Sequence, residues 1–552
     1  MSKYNNLLEC AYHWEQTSPQ KVFLTQPLGG GIDNVKDYTW QETLDQARRM
    51  ATYLQGMGLP DQSKIAICSK NCAHWIMADL AIWMAGFVSV PVFPVLTPDT
   101  VKYTLEHSES KLLFVGKLDP VWDTMKSGVP EDLPKIAFPL APQNDHPKWD
   151  DIVEQNDPLK VPVDRSPDDL ATIIYTSGST GLPKGAMHDF RTLLECTEGL
   201  SEVVNPMSDD RYLSYLPIAH GMERWLGECV PLFCGEHVFY AESLDTFLQD
   251  LQRARPTLFL SVPRLWLKFQ SGVLAKLPPK KFNLLMKIPV LKGIIKKKIV
   301  TQLGLDQVRF AGSGSAPLPK ELMEWYRNLG LELLEGYGMT ENFNYSHLSK
   351  PGHVRPGYIG TPYNDVECRI SDLGEVEIKS PGNMMGYYKM PEETKASFTD
   401  DGFLKTGDRG EIDDEGRLKI TGRTKEIFKT SKGKYIAPAP IENKLVNHHR
   451  IEMCLVSGSG NPQPHALIQL SEDSINAPRD EITPELEEHL SHINTLVEHH
   501  ERLDFLVVIT EAWLPENGFL TPTMKIKRNK IEEAFSTFVD KWYQSKNKVI
   551  WH

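Results

Sequence analysis

Apolar and polar positions follow one repeating order along most of this chain: apolar side chains at three- and four-residue spacing, then a short run of β-branched and aromatic residues. Residues 78–87 (ADLAIWMAGF) lead into 88–93 (VSVPVF), 100–108 into 111–116 (KLLFVG), 242–256 into 257–263 (TLFLSVP) and 317–330 into 331–338 (LELLEGYG). Each pair predicts a helix and a buried strand, so the fold is α/β, with a large N-terminal domain of stacked β-α units and largely parallel sheets. From about Glu375 shorter alternating strands take over (374–380, 410–423), with the turn Asp414-Glu415-Gly416 between two of them, as in a β subdomain. A helix near Pro440, further strands and terminal helices then predict a small α+β C-terminal domain. A boundary within 421–425 divides the chain into domains 1–422 and 423–552.

Two segments invite a membrane reading. Residues 75–96 are apolar apart from Asp79 and Ser89, long enough to span a bilayer. Gly86, Pro91 and Pro94 divide them, which fits a buried helix feeding a central strand better. Residues 280–298 (KKFNLLMKIPVLKGIIKKK) are basic and apolar; a solvated connecting helix interrupted at Pro289 is expected, with peripheral contact to anionic lipid left open. A helix beginning at Thr483-Pro484-Glu485 is expected to bury Leu486, Leu490, Ile493 and Leu496 or Val497. That stripe leaves His489, His492, His499 and His500 to solvent, and a metal site there is the less favoured reading.

Composition narrows the class. The 552 residues exceed one hydrophobic core, and a net charge of −13 excludes a general nucleic-acid partner, whose phosphates need a basic surface. Eight cysteines without a CxxC pair, and an N-terminus without signal-peptide character, place free thiols in a reducing cytoplasm.

The candidate chemistry begins with residues 175–185, YTSGSTGLPKG. Gly178 and Gly181 let backbone N–H groups turn inward as an anion nest; Thr176, Ser177, Ser179 and Thr180 add hydroxyl donors, and Lys184 a full charge. The loop is not a Walker A motif, because Pro183 precedes the lysine and Gly185 follows it. The apolar run Ala171, Ile173, Ile174, Tyr175 before it reads as a buried strand, and α/β sheets bind ligands at strand ends. Further along, EGYGMTE (335–341) sets Tyr337 between flexible Gly336 and Gly338, an arrangement suited to a flat ring, and ends in Thr340 and Glu341, oxygen groups suited to phosphate or Mg²⁺. In TGD (406–408) Asp408 offers a carboxylate to ribose hydroxyls. Arg423 suits the same sugar or the phosphates, and TPTMKIKR (521–528) adds Lys525 and Lys527.

In this order, together with LPIAHGMER (216–224) and AGSGSAP (311–317), these motifs resemble the adenylate-forming superfamily of acyl-CoA synthetases, acyl carrier ligases and luciferases over nearly the whole chain. Residues 216–224, 241–266 and 521–528 resemble long-chain fatty-acid CoA ligases. The resemblance implies activation of a fatty acid by ATP to acyl-adenylate with release of pyrophosphate, then transfer to coenzyme A with release of AMP. An acyl-AMP ligase loading a carrier protein, or a ligase for another carboxylic acid, is the alternative.

By the same resemblance, Thr176, Ser177, Gly178, Ser179, Thr180, Gly181 and Lys184 cradle the β- and γ-phosphates, and Thr176 and Glu341 hold Mg²⁺. Gly314, Ser315, Gly336 and Tyr337 frame adenine, with Glu335 and Gly338 in the same nucleotide-binding set, while Thr340 touches the α-phosphate. Asp408 and Arg423 bind ribose. Lys525 is the catalytic lysine joining carboxylate and α-phosphate, with Lys527 as the other choice because Met524 stands where many relatives have glycine. Lys425 is the hinge about which a mobile C-terminal domain turns, and Lys429, Lys432 and Lys434 meet the CoA phosphates or simply face solvent. Arg224 occupies the position of an acyl-tunnel gate, with Trp225 beside it; whether either gates is open.

Overall fold

The computed structural model describes residues 3–118, 120–176, 182–521 and 524–552. It forms two compact units. The first comprises Met1–Arg355, Ile359–Glu367 and Ile378–Leu404; the second Pro356–Tyr358, Cys368–Glu377 and Lys405–His552.

Among the described residues, two large sheets organise the first unit. One has the order Gly386–Tyr387, Lys184–Asp189, Leu170–Thr176, Val88–Val92, Lys64–Cys68, Leu112–Val115, Lys135–Ala137. It is parallel from Leu170–Thr176 onward and antiparallel at its other edge. The other runs Thr361–Pro362, His347–Leu348, Leu333–Tyr337, Phe310–Ser313, Leu258–Ser261, Arg211–Ser214, His237–Tyr240, Val22–Pro27, Val35–Thr39, parallel through its six middle strands. Side chains alternate between sheet faces, and this divides the core. Ile65, Ile67, Ala171 and Ile174 of the first sheet share a cluster with Phe23, Leu24, Val238 and Leu258 of the second. The opposite faces carry separate clusters, Ala66, Val88, Val90 and Ile173 on one and Leu213, Phe259, Ala311 and Leu333 on the other.

Helix Ala73–Met84 lies in the shared core with all 12 residues buried, and feeds strand Val88–Val92. This is the arrangement that Gly86 and the prolines imply. No helix among the described residues is long and apolar enough to cross a membrane. The basic stretch forms two helices, Pro279–Met286 and Pro289–Gln302, broken before Pro289 as expected, yet Leu284, Val290 and Ile294 are exposed among the lysines.

A wholly buried ionic group ties the shared core together. Arg224 donates to Asp79 of helix Ala73–Met84, to Ser89 Oγ at 2.9 Å, to Thr172 Oγ1, and through Nε to Glu228 Oε2 at 3.1 Å, all at zero exposure. The rings of Trp75 and Trp83 close over the guanidinium, with centroids 5.4 and 5.6 Å away. Burial, then Asp79, raises the Glu228 carboxyl well above the usual range. Glu228 belongs to a π-helical turn, Trp225–Cys229, a geometry that recurs at functional sites.

The second unit carries a sheet ordered Glu367–Ile370, Glu375–Lys379, Leu404–Ile412, Leu418–Arg423, whose last pair is the expected hairpin, and another ordered Ile451–Ser457, His465–Leu470, Leu506–Val508, Val549–Trp551. Helices Pro438–Leu445 and Arg479–Ile493 bury Ile441, Leu445, Ile482, Leu486, Leu490 and Ile493 against the latter. The helix expected from Thr483 starts four residues earlier, at Arg479, because Pro478 with Asp480 and Glu481 already supplies a terminus. Pro484 therefore lies inside the helix, and the Thr483 hydroxyl accepts from Trp551 Nε1 at 3.0 Å. The helix ends at Ile493, so Leu496 falls outside it and is exposed. His492 and His499 are exposed as expected, whereas half-buried His489 contacts the Leu445 carbonyl at 3.0 Å. Among the described residues, atoms close enough to share an ion belong instead to His448, His449 and Glu485, but Arg450 holds that carboxylate at 3.0 and 3.1 Å. All eight cysteines are unbridged.

Arg224→Ala strands two buried acids, and breaking a buried pair this way costs about 3–5 kcal/mol. Urea unfolding should show a loss of that order; a loss within experimental scatter would mean that the group carries no weight.

Candidate active site

Strand Leu170–Thr176 rises through the core with Ala171 to Tyr175 buried, and Thr176 emerges at its end. Ser177, Gly178, Ser179, Thr180 and Gly181 lie outside the described residues. Lys184 opens the returning antiparallel strand Lys184–Asp189, where Thr176 pairs with it. The lysine ammonium sits 5.0 Å from the ring centroid of Tyr387, and the Tyr387 hydroxyl donates to Glu341 Oε1 at 2.9 Å. The base of the loop and the end of EGYGMTE are thus joined through one aromatic side chain. His188, on the same returning strand, lies 2.8 Å from the Thr340 carbonyl; burial lowers its pKa to about 4, so the neutral ring donates Nε2–H there.

EGYGMTE leaves strand Leu333–Tyr337 and passes into a 3₁₀ turn, Thr340–Asn342. The two glycines differ from the flexible pair expected. A Cβ on Gly336 would meet nothing nearer than 3.6 Å, whereas one on Gly338 would fall 2.5 Å from the Asn344 backbone. Phe343 and Asn344 follow in left-handed conformation (φ 46° and 61°), and this folds the chain onto Gly338. Glu335 is buried; its Oε1 accepts from the Leu318 N–H at 2.8 Å, and burial lifts its pKa to about 7. It thereby supports the loop that follows strand Phe310–Ser313, where Gly314 is buried and Ser315 is exposed at φ 70°.

The second unit positions the remaining candidates. Asp408 and Arg423 are directly opposite on the hairpin Leu404–Ile412/Leu418–Arg423, with Arg423 Nε 2.8 Å from Asp408 Oδ1. Gly407 turns at φ 73°, and the Thr424 N–H returns to its carbonyl at 2.8 Å, just before exposed Lys425. Lys429 lies on the short hairpin Phe428–Lys429/Tyr435–Ile436, whose connection presents Lys432 and Lys434, all three exposed. Near the C-terminus the Thr521 hydroxyl accepts from the Lys525 N–H at 3.0 Å, and the Thr521 N–H donates to the Lys525 carbonyl at 2.8 Å. Met524 takes φ 61°, the backbone region glycine favours. Lys527 caps helix Arg528–Phe535, and burial lowers its pKa.

In the first unit an apolar cavity is lined by Gly336, Tyr337, Trp225, Leu226, Leu258 and Phe310, among others. Trp225, not Arg224, lines it.

The AMP-binding enzyme family matches residues 11–388. This chain belongs to that family. The family's C-terminal domain matches residues 425–547. Among curated relatives, the chain is 30% identical to long chain acyl-CoA synthetase 6, peroxisomal, of Arabidopsis thaliana, with 94% of this chain and 83% of that protein covered. It is 27% identical to the long-chain-fatty-acid–CoA ligase FadD15 of Mycobacterium bovis, covering 98% of each. In fold it is similar to the adenylation domain of a carboxylate reductase from Mycobacterium chelonae (TM-score 0.82, 22% identity, 99% and 92% covered). It is also similar to the anthranilate CoA ligase AuaEII (TM-score 0.79, 20% identity, 97% and 98% covered).

Sequence reasoning missed Tyr387 and His188, two residues of this AMP-binding enzyme that hold the ends of the phosphate and EGYGMTE segments. Neither lies in a motif with an evident chemical signature. The contrast between the glycines is testable: Gly338→Ala overpacks backbone and should cost about 1–3 kcal/mol, while Gly336→Ala should be milder. Thermal unfolding of both variants gives the order, and equal losses would refute the close approach.

Proposed function

We propose that this AMP-binding enzyme is an AMP-forming long-chain acyl-CoA ligase, and the observation that carries the reading is the apolar cavity lined in part by Gly336 and Tyr337. A carboxylate is a poor acyl donor because its leaving group would be oxide or hydroxide. Attack of its oxygen on the α-phosphate of ATP expels pyrophosphate and gives a mixed anhydride; attack of the CoA thiol on that acyl carbon then expels AMP. The first step brings two anions together, so fixed cations and N–H donors around the phosphates lower its barrier. Lys184 and the residues 176–181 take the β- and γ-phosphates, and Thr340 meets the α-phosphate. Gly314, Ser315, Glu335, Gly336, Tyr337 and Gly338 form the adenine side. Thr176 and Glu341 are oxygen donors of the kind Mg²⁺ takes beside phosphate, and the bound ion supplies charge neutralisation. Tyr387 aims Glu341 at that role.

Asp408 accepts from the ribose hydroxyls, with Arg423 holding its carboxylate in place. Lys525 bridges carboxylate and α-phosphate. The left-handed backbone at Met524, where many relatives have glycine, supports this register over Lys527. A domain boundary at 422/423, with Lys425 as hinge, lets the C-terminal domain withdraw Lys525 and offer Lys429, Lys432 and Lys434 to the CoA phosphates. The exposed Leu284, Val290 and Ile294 among lysines fit peripheral contact with anionic membrane, from which long-chain acids partition.

With hexadecanoic acid and ATP the enzyme should release pyrophosphate, and steady AMP production should require CoA; ADP formation would overturn the proposal. A carrier protein replacing CoA would select the carrier-loading alternative. Lys525→Ala should abolish adenylate formation and spare thioester formation from supplied acyl-adenylate, because its charge serves only the first transition state. Equal loss of both half-reactions would remove that role, and a selective defect in Lys527→Ala would shift it by two residues.

A further inference from the structure

The Asp408 carboxylate stands beside a turn in its own strand. Gly407 lies in the left-handed region at φ 73°, and the pairing of Leu404–Ile412 with Leu418–Arg423 shifts register between Arg409 and Gly410. A glycine changes φ at little cost, so the direction in which Asp408 leaves the strand is set by what the neighbouring peptide groups bond to.

These groups have partners. The Gly407 carbonyl accepts from the Thr424 N–H at 2.8 Å; the Asp408 N–H donates to the Thr406 hydroxyl at 3.1 Å, and that hydroxyl donates to the Val376 carbonyl at 2.8 Å. The Gly407 N–H donates to Glu375 Oε1 at 2.8 Å. Glu375 differs from the other partners in reaching across from the adjacent strand, Glu375–Lys379, with a carboxylate, and a hydrogen bond to a carboxylate is roughly twice as strong as a neutral one.

Glu375 is itself held against the same strand. Its N–H donates to Ser371 Oγ at 3.1 Å and its carbonyl accepts from the Ser371 N–H at 2.8 Å, closing the turn Asp372-Leu373-Gly374. The Gly374 carbonyl accepts from the Gly410 N–H at 3.2 Å, and a Cβ on Gly374, at φ 79°, would fall 2.6 Å from Arg409 Nη2. The turn therefore sits on the strand that carries Asp408. Without the carboxylate the Gly407 N–H turns to water, and the peptide before Gly407 is free to rotate with it.

We infer that Glu375 is a positioning residue for the ribose of the nucleotide, aiming the Asp408 carboxylate at the sugar hydroxyls through the Gly407 N–H. The inference rests on the reading of Asp408 given above. Its effect is confined to ligands that carry those hydroxyls, which separates it from a general support of the fold.

The test compares calorimetric binding of ATP and of 2′,3′-dideoxy-ATP, which lacks both hydroxyls, to the full-length enzyme with Mg²⁺ and no acyl substrate. Wild type should prefer ATP. In Glu375→Ala the ATP Kd should rise about tenfold while that of the dideoxy nucleotide stays within about twofold, because a mis-aimed carboxylate matters only to a ligand with hydroxyls to offer. Glu375→Gln keeps an acceptor oxygen at the same reach and should recover ATP binding to within about threefold of wild type. Glu375→Asp keeps the charge but draws the oxygen back by one methylene; it should follow Glu375→Ala, and it decides the matter if the alanine variant does not fold. In an Asp408→Ala background, Glu375→Ala should add nothing to the ATP loss. Equal losses for the two nucleotides, or an unchanged ATP Kd in Glu375→Ala and Glu375→Asp, would overturn the assignment. A wild type that binds both nucleotides alike would sink the ribose role of Asp408 and the inference with it, whereas a wild-type preference that the Glu375 variants leave intact would sink the inference alone.

Discussion

A guanidinium with no access to water, held between two buried carboxylates, is the interaction on which the arrangement of the first unit depends. Arg224 is bound at once to helix Ala73–Met84 through Asp79, to strand Val88–Val92 through Ser89, and to strand Leu170–Thr176 through Thr172. Its fourth partner, Glu228, sits in the π-helical turn that presents Trp225 and Leu226 to the cavity. The strand that delivers Thr176 and the turn that lines the apolar cavity are therefore referred to one charge. Buried charges are expensive unless every partner is in place, so this group resists any shift that opens it.

Around that fixed point, the candidate phosphate residues and the apolar cavity are built from the same two sheets. Loops at the carboxyl ends carry Thr176, Lys184, Gly314, Thr340 and Glu341, and the contacts of Tyr387 and His188 draw the phosphate segment and EGYGMTE together. The apolar cavity takes its lining from the same strands, at Leu258, Leu260 and Phe310. Parallel strands give the sheet this polarity, and ligands of open α/β sheets gather at the same edge.

Most of the architecture was legible because periodicity reports burial directly. Residues 100–108 and 111–116 become helix Pro98–His107 and strand Leu112–Val115, and the split of residues 75–96 by Gly86 is the junction between helix Ala73–Met84 and its strand. The helix starting at Arg479 was misplaced because Thr483-Pro484 imitates a terminus that Pro478 had already made. Asp408 and Arg423, assigned to one ligand from the sequence, are brought together opposite each other on a hairpin with a readable turn. Tyr387 was not, because its importance comes from a two-residue strand, Gly386–Tyr387, pairing with a strand remote in sequence. Arg224 was singled out for standing at a gate position, but its surroundings make it a structural tie, with neighbouring Trp225 at the cavity.

The claim that the apolar cavity receives a long acyl chain is tested most directly by kcat/KM over a series of straight-chain acids, read as pyrophosphate release. Each buried CH₂ contributes about 0.8 kcal/mol, which corresponds to roughly fourfold per carbon until the cavity is full. The account predicts such a climb to an optimum at long chains, with acetate and aryl acids poor. An optimum at acetate or at an aryl acid would contradict it.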